Sequence, residues 1–310
     1  MEIKGDVFRI MRGPSPALEL HLGRNAFTTG RQLSGVALFR VSKQINIRSL
    51  AISITGSETV ADSLLPHSKP IPFFSREILL TGRENPGFRH ERMSRLWNEF
   101  LGRDTGRSLS SGEHLYPFSI PLPSSLPPSY EGKAGRIDYT VTARLELLLG
   151  QKIEVSKQIP VVFVPRNRKS GPVALSYPSA DGTLQSGGVS INVEMMQHAV
   201  EQGKRVTGRY VIANPKHIHI KEVVASLENC EWARGTARKE IACEVVQSMT
   251  IVPASPDAGF IEGRFELHVP EDSVPTVEGT AISVLWFLKI RLNSSHPLEF
   301  KAPITVYPPQ

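Results

Sequence analysis

The sequence predicts an all-β protein, two β-sandwich domains in tandem with one short amphipathic helix in the first, and three observations carry that expectation. Apolar and polar residues alternate in short runs punctuated by Gly, Pro, Ser and Asn, the pattern of strands that bury one face and wet the other. At 310 residues the chain exceeds the usual size of a single core, so two domains are expected. The chain also repeats itself. Gly30-Arg31-Gln32-Leu33-Ser34-Gly35 recurs as Gly203-Lys204-Arg205-Val206-Thr207-Gly208, and each copy leads into an alternating run: Ile47, Leu50, Ile52 and Ile54, then Ile220, Val223, Ala225 and Leu227. Further on, Phe118, Ile120, Leu122 and Pro123 are echoed by Phe265, Leu267, Val269 and Pro270.

Taken in order, the clearest strands are expected over 33–41, 45–55, 137–147 and 282–292. In the third, Ile137, Tyr139, Val141, Ala143, Leu145 and Leu147 share one face, while Asp138, Thr140, Thr142, Arg144 and Glu146 share the other. Between Phe88 and Leu101 the period changes. Met93, Leu96, Trp97, Phe100 and Leu101 fall at helical spacing, with Arg89, Arg92, Arg95 and Glu99 outside the stripe, so a single amphipathic helix is expected there. A further strand over 151–165 runs into the basic stretch Arg166-Asn167-Arg168-Lys169-Ser170-Gly171-Pro172. That punctuation places a first domain at 1–168, a hinge at 169–188 and a second domain at 189–310.

Composition narrows the classes. No apolar stretch reaches the roughly 20 residues that span a bilayer. The start, Met1-Glu2-Ile3-Lys4-Gly5-Asp6, lacks the apolar core of a secretion signal, so a cytoplasmic protein is expected. A disulfide between the neighbouring Cys230 and Cys243 is geometrically conceivable, but without a secretion signal the pair reads as two free thiols acting as small hydrophobes. Net charge is +6 with pI near 9.4, which favours acidic partners without choosing among them.

The run Ser111-Gly112-Glu113-His114-Leu115-Tyr116-Pro117-Phe118-Ser119-Ile120-Pro121-Leu122-Pro123, followed by Leu126-Pro127-Pro128-Ser129-Tyr130-Glu131-Gly132 and Ile137-Asp138-Tyr139, resembles the arrestin superfamily. It looks like that family's Gly-rich turn, aromatic-Pro-Phe strand, proline loop and I-x-Y strand. Val7-Phe8-Arg9 and the segment from Leu20 to Phe27 look like its first two strands, and the lone helix before the Tyr-Pro-Phe strand fits as well. The resemblance spans nearly the whole chain and implies two immunoglobulin-like sandwiches. Where visual and beta-type arrestins carry paired lysines, this chain has Arg9 and Ile10. It also passes directly from Val269 to Thr276 and the strand at Gly279, without a long acid-bearing loop. The nearer resemblance is therefore to alpha-arrestins and simple arrestin-fold adaptors.

Three groups of residues are candidates for function. Arg9, Arg12 and Arg24 near the first strands are expected to meet acidic partners. The helix with Trp97 and Phe100 in its apolar stripe and Arg92 and Arg95 outside it reads as packed on a sheet, with an anionic membrane surface or a protein partner as the alternative. Pro127, Pro128 and Tyr130 form a PPxY sequence, which alpha-arrestins use to recruit ubiquitin ligases through WW domains. Its place in a loop between strands, rather than in the C-terminal tail usual for that family, reads as structural. The chain closes at Tyr307-Pro308-Pro309-Gln310, so no such tail is expected. His217 and His219 are taken as an exposed strand edge with no third metal ligand. No nucleophile elbow, Walker loop, C-x-x-C pair or Rossmann fingerprint occurs, and neither cofactor, metal nor nucleic-acid partner is expected. The expectation is a non-enzymatic adaptor or scaffold for protein partners, including cytosolic segments of membrane proteins, in membrane-protein trafficking or signalling. The alternative is a structural or stress-related protein of the same fold that self-associates or binds a membrane surface.

Overall fold

A computed structural model of the chain describes residues 17–61, 69–81, 107–148, 150–163, 173–178, 188–234, 238–295 and 297–309. All regular structure among them is β. The helix expected over 88–101, with Arg92, Arg95, Trp97 and Phe100, lies outside the described residues, as do Arg9 and Arg12.

In chain order the first strands are β1 (Ala17–Leu22), β2 (Phe27–Thr28), β3 (Gln32–Val41), β4 (Ile45–Val60), β5 (Ile71–Thr81), β6 (Arg107–Leu109) and β7 (Gly112–Pro121). Next come β8 (Tyr130–Gly132), β9 (Gly135–Leu147), β10 (Lys152–Ile159), β11 (Val161–Val162), β12 (Val173–Pro178), β13 (Ser190–Met195) and β14 (Ala199–Glu201). The last are β15 (Arg205–Ala213), β16 (Glu222–Arg234), β17 (Arg238–Ile251), β18 (Phe260–His268), β19 (Val277–Glu278), β20 (Ile282–Asn293) and β21 (Leu298–Tyr307). They form sheets ordered β1-β3-β7, β10-β9-β4-β5 with β6 on β4 and β8 on β9, and β11-β2. The remaining two are β12-β13-β15-β18, and β14-β21-β20-β16-β17 with β19 on β20.

The chain divides into two compact units. The first comprises Met1–Gly56, Phe74–Leu122 and Tyr139–Pro160, and the second comprises Ser57–Phe73, Pro123–Asp138 and Val161–Gln310. In the first, the inward row of β3 (Leu33, Ala37, Phe39 and Val41) and that of β9 (Tyr139, Val141, Ala143 and Leu145) are buried, as alternation demands. In the second, one continuous cluster joins Ile191 and Val193 of β13, Tyr210 and Ile212 of β15, Phe265 and Leu267 of β18, and the inward rows of β16, β20 and β21 around Trp286.

The repeated hexapeptide has one structural meaning in both places. Its first glycine takes positive φ, 73° at Gly30 and 78° at Gly203, where a side chain would be strained. Its last glycine lies under the echoed phenylalanine. A Cβ on Gly35 would stand 2.5 Å from the His21 carbonyl and 2.7 Å from the Phe118 ring. On Gly208 it would stand 2.4 Å from the Glu194 carbonyl and 2.5 Å from the Phe265 ring. The two motifs picked out of the sequence are thus two halves of one packing rule.

Two expectations need correction. Cys230 and Cys243 are not free thiols: β16 and β17 pair them directly across the hairpin, with Cα atoms 4.0 Å apart, and they form a disulfide. The lack of a secretion signal bears on compartment and not on register, and register brings the two together. His217 and His219 are not on a strand but in the connection between β15 and β16. The buried side chain of Asn214 organises that connection. Its Nδ2 donates to the Ile218 and Ala258 carbonyls (2.9 and 3.2 Å), and its Oδ1 accepts from the Ile218 N–H (2.9 Å). The turn this fixes carries His217 into a left-handed conformation, φ 52°.

Candidate functional site

Arg24 is exposed in the turn after β1. The PPxY residues are placed differently: Pro127, Pro128 and Tyr130 are buried. The Tyr130 hydroxyl donates to Glu231, whose same oxygen accepts the Ala134 N–H at 2.9 Å. Burial, and then the bond to Glu231, push the phenol well above its ordinary pKa, so it stays a neutral donor. His217 Nδ1 meets the Asp257 carbonyl at 2.8 Å and His219 Nδ1 meets the Asp257 carboxylate at 2.9 Å.

A second carboxylate is more deeply committed. β4 runs past the expected end at Thr55 to Val60, and this extension carries Glu58, only 1% exposed. Glu58 accepts the N–H groups of Thr280, Ala281 and Ile282 at 2.7, 2.5 and 2.9 Å. The three donors converge because the chain turns between β19 and β20, closed by Gly279 N–H to the Ile282 carbonyl at 2.9 Å. Within the second unit, Glu58 and Glu231 therefore tie Ser57–Phe73 and Pro123–Asp138 to the later strands.

The outer face of the β1-β3-β7 sheet has the make-up of a binding surface. Leu115 of β7 is 65% exposed and lies directly across from Leu38 of β3, which in turn faces Glu19 of β1. One pair along, Val36 faces Pro117 on one side and His21 on the other. Arg40 bridges the sheet beside this apolar row: its Nε donates to Glu113 at 2.7 Å and its Nη1 to Glu19. An apolar centre with a charged, hydrogen-bonded rim is the composition of a protein-recognition patch. Sequence reasoning passed over these residues, although Leu115, two residues from Glu113 on the face that also carries Ser119, was the available signal.

The outer face of β16, β20 and β21 carries a charge network instead. The Glu228 carboxylate, its side chain 6% exposed, accepts from Lys301 at 2.7 Å and Lys289 at 3.1 Å, and Lys289 reaches Glu299 at 3.1 Å. Burial works against the Glu228 charge, but the two lysines outweigh it and hold its pKa below the ordinary value. Glu228, Cys230 and Cys243 are close enough to suggest a metal donor set. The sulfurs are bonded to each other and the carboxylate is held by two lysines, so the group is already satisfied. No helix among the described residues is long and apolar enough to cross a membrane.

Residues 18–164 match the profile of the arrestin (or S-antigen) N-terminal domain. The chain is 27% identical over 186 residues to the HECT-type ubiquitin ligase-interacting protein apyA of Emericella nidulans, covering 58% of this chain and 46% of that protein. It is 28% identical over 266 residues to arrestin domain-containing protein 17 of Caenorhabditis elegans, covering 80% of this chain and 58% of that one. Arrestin domain-containing protein 15 of the same organism is 25% identical over 225 residues, covering 66% and 59%. The chain thus spans about half the length of these relatives.

Proposed function

We propose that the chain, whose residues 18–164 match the arrestin N-terminal domain, is an arrestin-fold protein that acts as a non-enzymatic adaptor and binds segments of partner proteins in membrane-protein trafficking. The observation that carries the reading is the outer face of the β1-β3-β7 sheet, where Leu115 stands exposed beside Leu38 and the Glu19–Arg40–Glu113 bridge. Leu115 and Pro117, exposed beside the buried Leu38, take the side chains of a partner segment, and the charged rim sets the orientation. Arg24, exposed in the turn after β1, is a further candidate contact for acidic residues of the partner. The two-domain division at 168 and 189 belongs to the same reading. A relative that interacts with a HECT-type ubiquitin ligase makes such a ligase a natural partner class. With Pro127, Pro128 and Tyr130 buried, that contact does not use this PPxY sequence.

Affinity purification from cytosol and detergent-solubilised membranes, with wild type and Leu115→Asp compared by quantitative mass spectrometry, tests this. Membrane proteins and trafficking components should be recovered with wild type and depleted several-fold with the variant. Recovery of neither class with wild type would sink the proposal.

A further inference from the structure

Sheet edges offer unpaired backbone to any other strand, and the edges of this fold are not equally protected. On β7 the N–H of Leu122 bonds to Arg31, so residues of even number face β3 and those of odd number face outward. Both prolines of β7, Pro117 and Pro121, fall at outward positions, where their missing N–H groups blunt the edge. On β17, register shifts at Leu227/Glu228 and Glu231/Trp232 break the edge with bulges. β18 has neither device. Its pairing with β15 is regular from Phe260 to His268 and contains no proline.

The bonds of Val269 N–H to Lys204 (2.9 Å) and of Asn214 N–H to Gly259 (2.7 Å) set the parity of β18. Odd-numbered residues face β15, and Phe260, Glu262, Arg264, Glu266 and His268 face out. Gln247 closes one end by accepting the His268 N–H. The stretch from Phe260 to Glu266 is left open among the described residues. Its even-numbered side chains are exposed, Phe260 by 76%, while Ile261 and Phe265 point into the core.

The charges on this edge are unbalanced in a particular way. Arg264 is directly opposite Arg209 of β15, a like-charged cross-strand pair, and Arg209 already holds Glu194 through two bonds of 2.7 and 3.1 Å. Glu266 is held by Arg205. Glu262 faces Val211 across the ladder and is near enough to Arg209 to act on its charge, but no ion pair among the described residues holds it.

We infer that β18 is a self-pairing edge, and that its occupant is β18 of a second copy of this chain. A two-fold axis between positions 262 and 264 sets Glu262 of each copy opposite Arg264 of its partner and Phe260 opposite Glu266. Every backbone N–H and C=O of the open stretch then finds a partner, and the ladder stops where Gln247 closes it. The pairing supplies the acidic cross-strand partner that Arg264 does not have on β15, where Arg209 faces it. The contact is isologous, as closed two-fold assembly requires. Shifting the register by two residues would set Arg264 against Glu266, already engaged by Arg205, so the first register uses the two charges that no ion pair among the described residues holds. An interface of one strand pair is small, and the association is weak.

Sedimentation equilibrium from micromolar to several hundred micromolar protein tests this, with unfolding curves confirming that each variant folds. Wild type should show a monomer–dimer equilibrium. Arg264→Glu and Glu262→Arg, each of which sets like charges face to face twice per dimer, should weaken it by at least about tenfold. The double variant Glu262→Arg/Arg264→Glu restores both pairs and should return to within about threefold of wild type. A monomer at every concentration overturns the inference, and so does a dimer indifferent to the single reversals or not rescued by the double one. Partner recovery through the β1-β3-β7 face should be the same for Arg264→Glu as for wild type, so this inference and the adaptor reading can fail separately.

Discussion

Replacing Glu58 by alanine removes the acceptor of three backbone donors at once. Thr280, Ala281 and Ile282 bond to it at 2.7, 2.5 and 2.9 Å, and the side chain is 1% exposed. A hydrogen bond to a charged group contributes about 1.5–3 kcal/mol, and each buried donor left without a partner costs about 1–3 kcal/mol. Offsetting this, the variant no longer holds a carboxylate out of water, a penalty of several kcal/mol. Breaking one side of a buried charged arrangement destabilises by roughly 3–5 kcal/mol, and Glu58→Ala is expected in that range. Glu58→Gln separates charge from shape. An amide oxygen in the place of Oε2 still accepts from Ala281 and Ile282, while the amide NH2 is set against the Thr280 N–H that Oε1 served. Its cost should be about 1–3 kcal/mol. Urea unfolding followed by tryptophan fluorescence measures both, since Trp286 is buried on the strand that begins at Ile282. Faster amide exchange at Thr280, Ala281 and Ile282 supplies the local signature. Glu58→Ala within about 1 kcal/mol of wild type, or Gln as damaging as Ala, would refute the reasoning.

Gly35→Ala and Gly208→Ala each drive a Cβ into a carbonyl and a phenylalanine ring, so both should destabilise by about 1–3 kcal/mol and by similar amounts, read from unfolding midpoints. Very unequal costs would argue against a shared packing rule. Glu228 has a folded pKa below its unfolded value, near 4.3, so its contribution is present above that pH and lost as pH falls through the folded value. For Lys289, burial lowers the pKa but Glu228 and Glu299 raise it further, so its contribution is complete below about pH 10.4 and lost as pH rises through the folded value. Glu228→Gln should therefore flatten both limbs of a stability-versus-pH curve. Reducing the Cys230–Cys243 bond, which spans a sequence separation of 13, should cost about 2–3 kcal/mol in the same unfolding assay.

The fold was legible wherever one residue's polarity reports one face. The rows of β3, β9 and β20 could be read directly, because a half-buried strand writes its burial into every second residue. The repeated glycines were legible as a pattern but not as a cause, since the ring and carbonyl that exclude a side chain come from neighbouring strands. Glu58 was invisible for a different reason. In Gly56-Ser57-Glu58 it reads as one more polar strand residue, and its partners are backbone N–H groups that leave no mark on sequence. The cysteines were misread because pairing depends on a hairpin register that includes bulges. Leu115 and Arg40 carry the candidate surface through cross-strand adjacency, which no linear pattern records.

Asn214 raises a question of chemical durability. Asparagines age by attack of the next residue's backbone nitrogen on the side-chain amide, and the aspartate or isoaspartate that results would lose the Nδ2 donor to Ile218 and Ala258. The next residue here is Pro215, which has no N–H to deprotonate. The asparagine on which the corner between β15 and β16 depends is thereby closed to the ordinary route of deamidation. Peptide mapping after prolonged incubation should find it intact.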